Sequence, residues 1–212
     1  MNKTKIYLIR HGQSQGNEKG LLLGHTDLDL TELGYEQAQK TATFLHDVPV
    51  DAIYSSDLLR AYHTALATAN DKGLSVTRDR ELREIFLGDW EGAVVSDLRE
   101  GCPAEFDVWR ENFGRVCPPN GETPIEVQER VMRAVLRLCE RHKGQTIFLF
   151  SHGAAIRVLK AACDGKSPDE IKDVPWATNA SVSTLEYEDG TLRCTEYSRD
   201  DFLQGMTTEW RD

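Results

Sequence analysis

Two uninterrupted apolar runs, Ile6-Tyr7-Leu8-Ile9 and Ile147-Phe148-Leu149-Phe150, each end on a polar tripeptide centred on a histidine: Arg10-His11-Gly12 and Ser151-His152-Gly153. A strand buried on both faces of a parallel sheet reads as such a run, without the alternation of a half-exposed strand. Elsewhere the pattern switches between short strands and helical spacing. After a glycine-rich polar loop (Gly12, Gly16, Gly20, Gly24), a helix is predicted from Thr31, a capping residue with Glu32 and Glu36 behind it, to about Asp47. A strand at 51–55 leads into a helix from Leu58 to about Asn70, capped by Ser56 or Asp57, with Ala61, Ala65 and Ala69 as a close-packing face and Arg60 in its first turn. Leu74–Thr77 reads as a strand and 82–92 as irregular. Two short helices follow from Val94 to Phe113, broken at Gly101-Cys102-Pro103, then a loop at 117–121. Thr123-Pro124 opens a long helix whose Val127, Val131, Val135 and Leu138 share one face. A helix from Ala154 to Cys163 and a hairpin turning at Glu188-Asp189-Gly190-Thr191 complete the pattern.

Strands alternating with helices predict an α/β fold: a three-layer sandwich with a mainly parallel central sheet and helices on both faces. Ligands of open α/β sheets sit beyond the carboxyl ends of the strands, so both histidines are expected at one crevice. The 212 residues fit a single domain spanning 1–212, with a helical cap segment at about 93–122. Five cysteines (Cys102, Cys117, Cys139, Cys163, Cys194) form no Cys-x-x-Cys pair, and an odd number leaves at least one free thiol. That usage suits a reducing compartment, and the run opening the chain is too short for a signal peptide or membrane span, so a cytoplasmic location is expected. A formal net charge of -10 disfavours nucleic acid and anionic membranes as partners. Any anion site must therefore be built locally from a few cations.

Arg10, His11, Arg60 and His152 form such a set. Four nitrogen-rich side chains in one crevice require a dianion or several carboxylates to compensate them, and a phosphoryl group suits them, since arginine's planar fork matches phosphate oxygens. Each such contact near 4 Å is worth on the order of 4 kcal/mol at an effective dielectric near 20, before desolvation. Backbone donors at the helix start after Ser151-His152-Gly153 would add to the set. An unprotonated histidine can attack phosphorus, and a carboxyl group must then protonate the leaving oxygen and later activate water. Glu81, Glu84, Asp89 and Glu91 are the acids within reach; Glu84 is the choice, although spacing alone does not separate them.

Leu8-Ile9-Arg10-His11-Gly12-Gln13-Ser14, with Asn17, Gly24, Asp27, Leu30-Thr31, Gly34 and Gln37-Ala38, resembles the opening block of the histidine phosphatase superfamily, phosphoglycerate mutase-like branch. Ser55-Ser56-Asp57-Leu58 with Arg60-Ala61 and Thr64-Ala65, then Leu82-Arg83-Glu84 with Gly88 and Trp90-Glu91-Gly92, and finally Ser151-His152-Gly153 are similar to its later blocks, in order. The resemblance implies a phosphohistidine on His11, phosphoryl binding by Arg10, Arg60 and His152, Glu84 as proton donor, and a further contact from Asn17. Leu23, Gly24 and Gly153 complete the expected substrate pocket. No metal or cofactor is expected.

Leu23 stands where the pattern usually has a polar Thr or Gln before Gly24, which argues against a highly polar sugar-acid substrate; Gln13 replaces the more usual Glu. The segment between Glu84 and His152 is short, leaving fewer loops to cover a phosphoenzyme, so hydrolysis of a small-molecule phosphate ester is favoured over mutase transfer. Phosphoglycerate mutase activity and non-catalytic binding of a phospho-ligand are the alternatives. The rim is expected from 21–25 and 96–117, with Leu22, Leu23, Phe106, Trp109 and Phe113 beside Arg99, Arg110 and Arg115. His25 and His63 read as structural or rim residues, and Trp90, Trp109, Trp176 and Trp210 as core or edge aromatics. The tail after Ser198 reads as a solvated end that Phe202, Leu203 and Met206 could dock, and the hairpin edge at 181–197 could pair two copies into a homodimer.

Overall fold

In a computed structural model of the chain, which describes residues 3–101 and 103–208, six strands form one sheet in the order β3-β2-β4-β1-β5-β6. These are β1 (Thr4–Arg10), β2 (Ala52–Ser55), β3 (Val76–Arg78), β4 (Thr146–Ser151), β5 (Val182–Glu188) and β6 (Thr191–Arg199). The first four run parallel, while β5 is antiparallel to β1 and β6 to β5. The helices are α1 (Gln15–Glu18), α2 (Glu32–Phe44), α3 (Leu59–Lys72), α4 (Val95–Gly101), α5 (Pro103–Glu111), α6 (Pro124–Arg141) and α7 (Gly153–Cys163). Cys102 and Trp210 lie outside the described residues.

Side chains alternate across the pleat and so address two helical layers. Ile6, Leu8, Ile147 and Leu149 pack with the buried stripe of α6 and with α7, whereas Ile9, Phe148 and Phe150 pack with Ala65 and Ala69 of α3 and with Leu45 after α2. The fold is the expected three-layer α/β sandwich. The α6 stripe needs Thr123, whose side chain and Glu126 cap the helix reciprocally around Pro124. Helix α3 departs from expectation. Neither Ser56 nor Asp57 caps it; Asp57 is held by Arg83 at 2.6 Å, and the Leu59 amide donates instead to Asp27 Oδ1 at 2.7 Å. A carboxylate from the loop before α2 thus serves the helix start where Arg60 sits.

Over its described residues, 199–208, the tail is docked and not a solvated end. Phe202 stacks on Phe44 with centroids 4.3 Å apart, Leu203 is fully buried, and Met206 O accepts from Gln37 Nε2 at 2.6 Å. Among the described residues no helix is long and apolar enough to cross a membrane.

Candidate active site

Strand pairing determines what the two histidines can do. Arg10 is in register with Ser151 on the neighbouring parallel strands, so His11 and His152 emerge together at their carboxyl ends, ring centroids 5.1 Å apart. Both are buried. Burial first, then the charges of Arg60 and Arg10, hold His11 well below the ordinary imidazole range; burial, Arg60 and His11 do the same to His152. Each ring is neutral near pH 7, and its partners fix its tautomer. His11 Nδ1 lies 2.6 Å from the Gly12 carbonyl, which can only accept, so Nδ1 carries the proton and Nε2 presents a lone pair. His152 Nδ1 accepts from Arg60 Nε at 3.2 Å, so its Nε2 carries the proton, buried and without an acceptor.

Arg60 is wholly buried yet retains its charge, its pKa lowered by burial to about 10. Besides His152 it donates to the carbonyls of Gly24 (2.7 Å) and Thr26 (2.9 Å), which leaves two of its five N–H groups free. Arg10 donates through Nη1 to the Ala177 carbonyl, and its buried Nε, like Nε2 of His152, has no acceptor among the described residues. Two orphaned donors, on Arg10 and His152, therefore adjoin His11. A buried donor without a partner costs about 1–3 kcal/mol, a cost that an anion's oxygens would remove.

The acids separate cleanly. Glu91 accepts from the amides of His25, Thr26 and Leu87 and the Thr26 hydroxyl, Glu81 pairs with Arg133 and Arg137, and Asp89 accepts from Asn120. Glu84 alone of the four lines the cavity. Its Oε1 accepts from the amides of Ile85 (3.0 Å), Ala154 (3.0 Å) and Ala155 (3.2 Å), and Oε2 from Ala154 at 3.1 Å. This corrects one expectation: the amides of Ala154 and Ala155 at the start of α7 hold the carboxylate, not a phosphate.

The cavity, about 240 Å³, is walled by Arg10, His11, Asn17, Leu23, Gly24, Arg60, Glu84 and Gly153 from the expected set. His152 is the exception: it is not among the lining residues, although its ring lies 5.1 Å from that of His11. Asn17 uses Oδ1 for the Ser14 amide and hydroxyl, turning its Nδ2 towards no protein acceptor among the described residues. Leu21, Leu22 and Trp109 belong to the rim as expected. Phe106 and Phe113 are instead core, Arg110 faces Asp107 and Glu111, Arg115 pairs with Asp169, and Arg99 does not line the cavity. A second stretch of wall, Trp176 to Asn179 with Thr208, escaped sequence reasoning. Its one signal is the polar pair Thr178-Asn179 shortly before a strand, too common to single out. A row of edge-on aromatics, Trp90, Trp109, Phe113 and Trp176, connects the two stretches, and the Arg157 guanidinium lies 4.4 Å from the Trp176 ring centroid.

A family model described as histidine phosphatase superfamily (branch 1) matches residues 6–200. The adenosylcobalamin/alpha-ribazole phosphatase of Escherichia coli (strain K12) is 38% identical over 161 residues, covering 76% of this chain and 79% of that protein. Phosphoserine phosphatase 1 of Hydrogenobacter thermophilus is 34% identical over 189 residues, 88% of each chain. Among solved structures, Bacillus stearothermophilus YhfR superposes with a TM-score of 0.91 at 31% identity, covering 95% of this chain and all of that one.

Proposed function

The chain belongs to the histidine phosphatase superfamily, and from that premise we propose that it hydrolyses small-molecule phosphate monoesters through a phosphohistidine on His11. The observation that carries this reading is the fixed tautomer of a buried neutral His11, with Nδ1–H on the Gly12 carbonyl and Nε2 free beside orphaned donors. Nε2 attacks phosphorus; the ester P–O bond breaks, and its electrons leave on the oxygen, which takes a proton from Glu84. Glu84 Oε2, with a single amide contact, is the oxygen free to carry that proton. Water then gives a proton to Glu84 as it attacks phosphorus, the P–N bond breaks, and the electron pair returns to Nε2. Arg10, Arg60, His152 Nε2–H and Asn17 Nδ2 supply the donors for the phosphoryl oxygens. These groups fill the roles a metal would take, so activity should survive a chelator.

The rest of the wall describes the leaving group. Beyond Arg10, His11, Arg60 and Glu84, the lining among the described residues has no ionisable side chain; it offers Leu21, Leu22, Leu23, Leu87, Trp109 and Trp176, together with side-chain amides and hydroxyls. Nothing there pairs with a second phosphate or a carboxylate, so the preferred ester has an uncharged, largely apolar body. The test is a hydrolysis panel with wild type and His11→Ala. Aryl and alkyl phosphates should be turned over with kcat/KM at least tenfold above 3-phosphoglycerate or phosphoserine. Acid-labile phosphate should be trapped on wild type and be absent from H11A. Full activity in H11A, or isomerisation of 3-phosphoglycerate in place of hydrolysis, would overturn the reading.

A further inference from the structure

Two buried amide side chains each hold the His11 loop with one end and the C-terminal segment with the other. Gln37 accepts from the Gln13 amide at 2.7 Å and donates to the Met206 carbonyl at 2.6 Å. Asn179 donates through Nδ2 to the carbonyls of His11 (3.0 Å) and Gly12 (3.3 Å) and to Asn17 Oδ1 (3.3 Å), while its Oδ1 accepts from the Thr208 hydroxyl at 2.7 Å. The acceptors fix both orientations: carbonyl oxygens can face only the NH2 end of an amide. The Gly12 carbonyl touched by Asn179 is the same one that takes His11 Nδ1–H. The direction of that peptide therefore decides which imidazole nitrogen holds the proton and which meets phosphorus.

We propose that Asn179 is a positioning residue for the nucleophile and that residues 201–208 act on catalysis through it, Thr208 orienting the Asn179 amide and the amide orienting the Gly12 carbonyl. The segment is anchored for this by Phe202 on Phe44 and by buried Leu203. A freely rotating amide could donate to either carbonyl or to solvent; with Oδ1 held by Thr208, Nδ2 has only the loop to face. The proposal rests on His11 being the nucleophile, but its geometric half is readable without turnover.

The experiment is a double-mutant cycle on p-nitrophenyl phosphate with Asn179→Ala and Thr208→Val, together with 15N spectra of the His11 ring in the resting enzyme. N179A should lower kcat about tenfold or more with KM within about twofold, since misplacing a reacting atom slows chemistry more than binding. T208V, which removes one neutral hydrogen bond of about 1 kcal/mol, should lower kcat about fivefold. In the N179A background T208V should have no further effect if Thr208 acts through the Asn179 amide, whereas a direct contact from its place in the cavity wall would leave the loss intact. The ring spectra should show a mixed Nδ1–H and Nε2–H population in N179A where wild type shows Nδ1–H. A T208V loss that persists undiminished in N179A, a KM change without a kcat change, or an unaltered tautomer would overturn the proposal. If N179A does not fold, T208V with its ring spectrum decides alone: loss of kcat with a shifted tautomer supports it, and either one unchanged refutes it. An active His11→Ala would defeat the parent reading separately, leaving the tautomer result standing or falling by itself.

Discussion

Two imidazoles buried beside arginines give the folded protein a poor affinity for protons. His11 and His152 both titrate well below their unfolded value near 6.5, so the native state binds fewer protons than the unfolded chain once the pH falls past that point. Their contribution to stability is complete above about pH 6.5 and is lost as the pH falls through their folded values, at up to about 1.4 kcal/mol per pH unit for each group. Urea midpoints taken between pH 7.5 and 5 should therefore fall more steeply for wild type than for His152→Gln; parallel slopes would remove the histidines from the account. The same displacement keeps Nε2 of His11 unprotonated, so the acid limb of kcat/KM should lie below pH 6.5. At this scale the sequence was informative where a residue type is rare and costly in its setting, as with Arg60 in a helix's first turn. It was silent on choices made by partners. Glu81, Glu84 and Glu91 are equivalent as letters and become different only when Arg133, the Ala154 amide and the Thr26 amide take one each.

The elements read well where burial is strong on both sides. Runs such as 147–150 and the α6 stripe specify their places because a shift in register would carry every side chain to the wrong layer. What was not legible was short or held from a distance: α1 is four residues long, α3 is started by Asp27, and the wall at 176–179 is placed by its neighbours. One contact between elements joins fold and chemistry directly. Gly12 and Gly34 meet backbone to backbone, a Cβ on Gly12 standing 2.5 Å from the Gly34 carbonyl and one on Gly34 colliding with the Gln13 carbonyl. Gly34→Ala should consequently push the loop away from α2, with kcat falling about a hundredfold, as for a misplacement of about 1 Å, and a stability cost of about 1–3 kcal/mol from overpacking. Melting and steady-state kinetics on the one variant test this; unchanged kcat would mean that the loop is held elsewhere.

Taken as a whole, the molecule is an anionic body with a cationic hollow. Arg10 and Arg60 lose hydration on folding without acquiring, among the described residues, a carboxylate at bonding distance, a place that an inorganic oxyanion would fill. Inorganic phosphate at 100 times its dissociation constant should add about 2.7 kcal/mol to the unfolding free energy, seen as a rise in melting temperature that is lost in Arg60→Met. An equal rise in that variant would place phosphate at another site. The order of the strands has a last consequence, for how the chain is made. β1, which leads into His11, precedes the other five strands of the described sheet, yet its two neighbours there are β4 and β5, which follow more than 130 residues later. Until residues near 188 have left the ribosome, β1 has at least one unpaired edge and no closed cavity beside it. Closure of the site therefore comes late to the nascent chain, and a polypeptide interrupted before β5 would carry an unpaired edge beside an incomplete cavity.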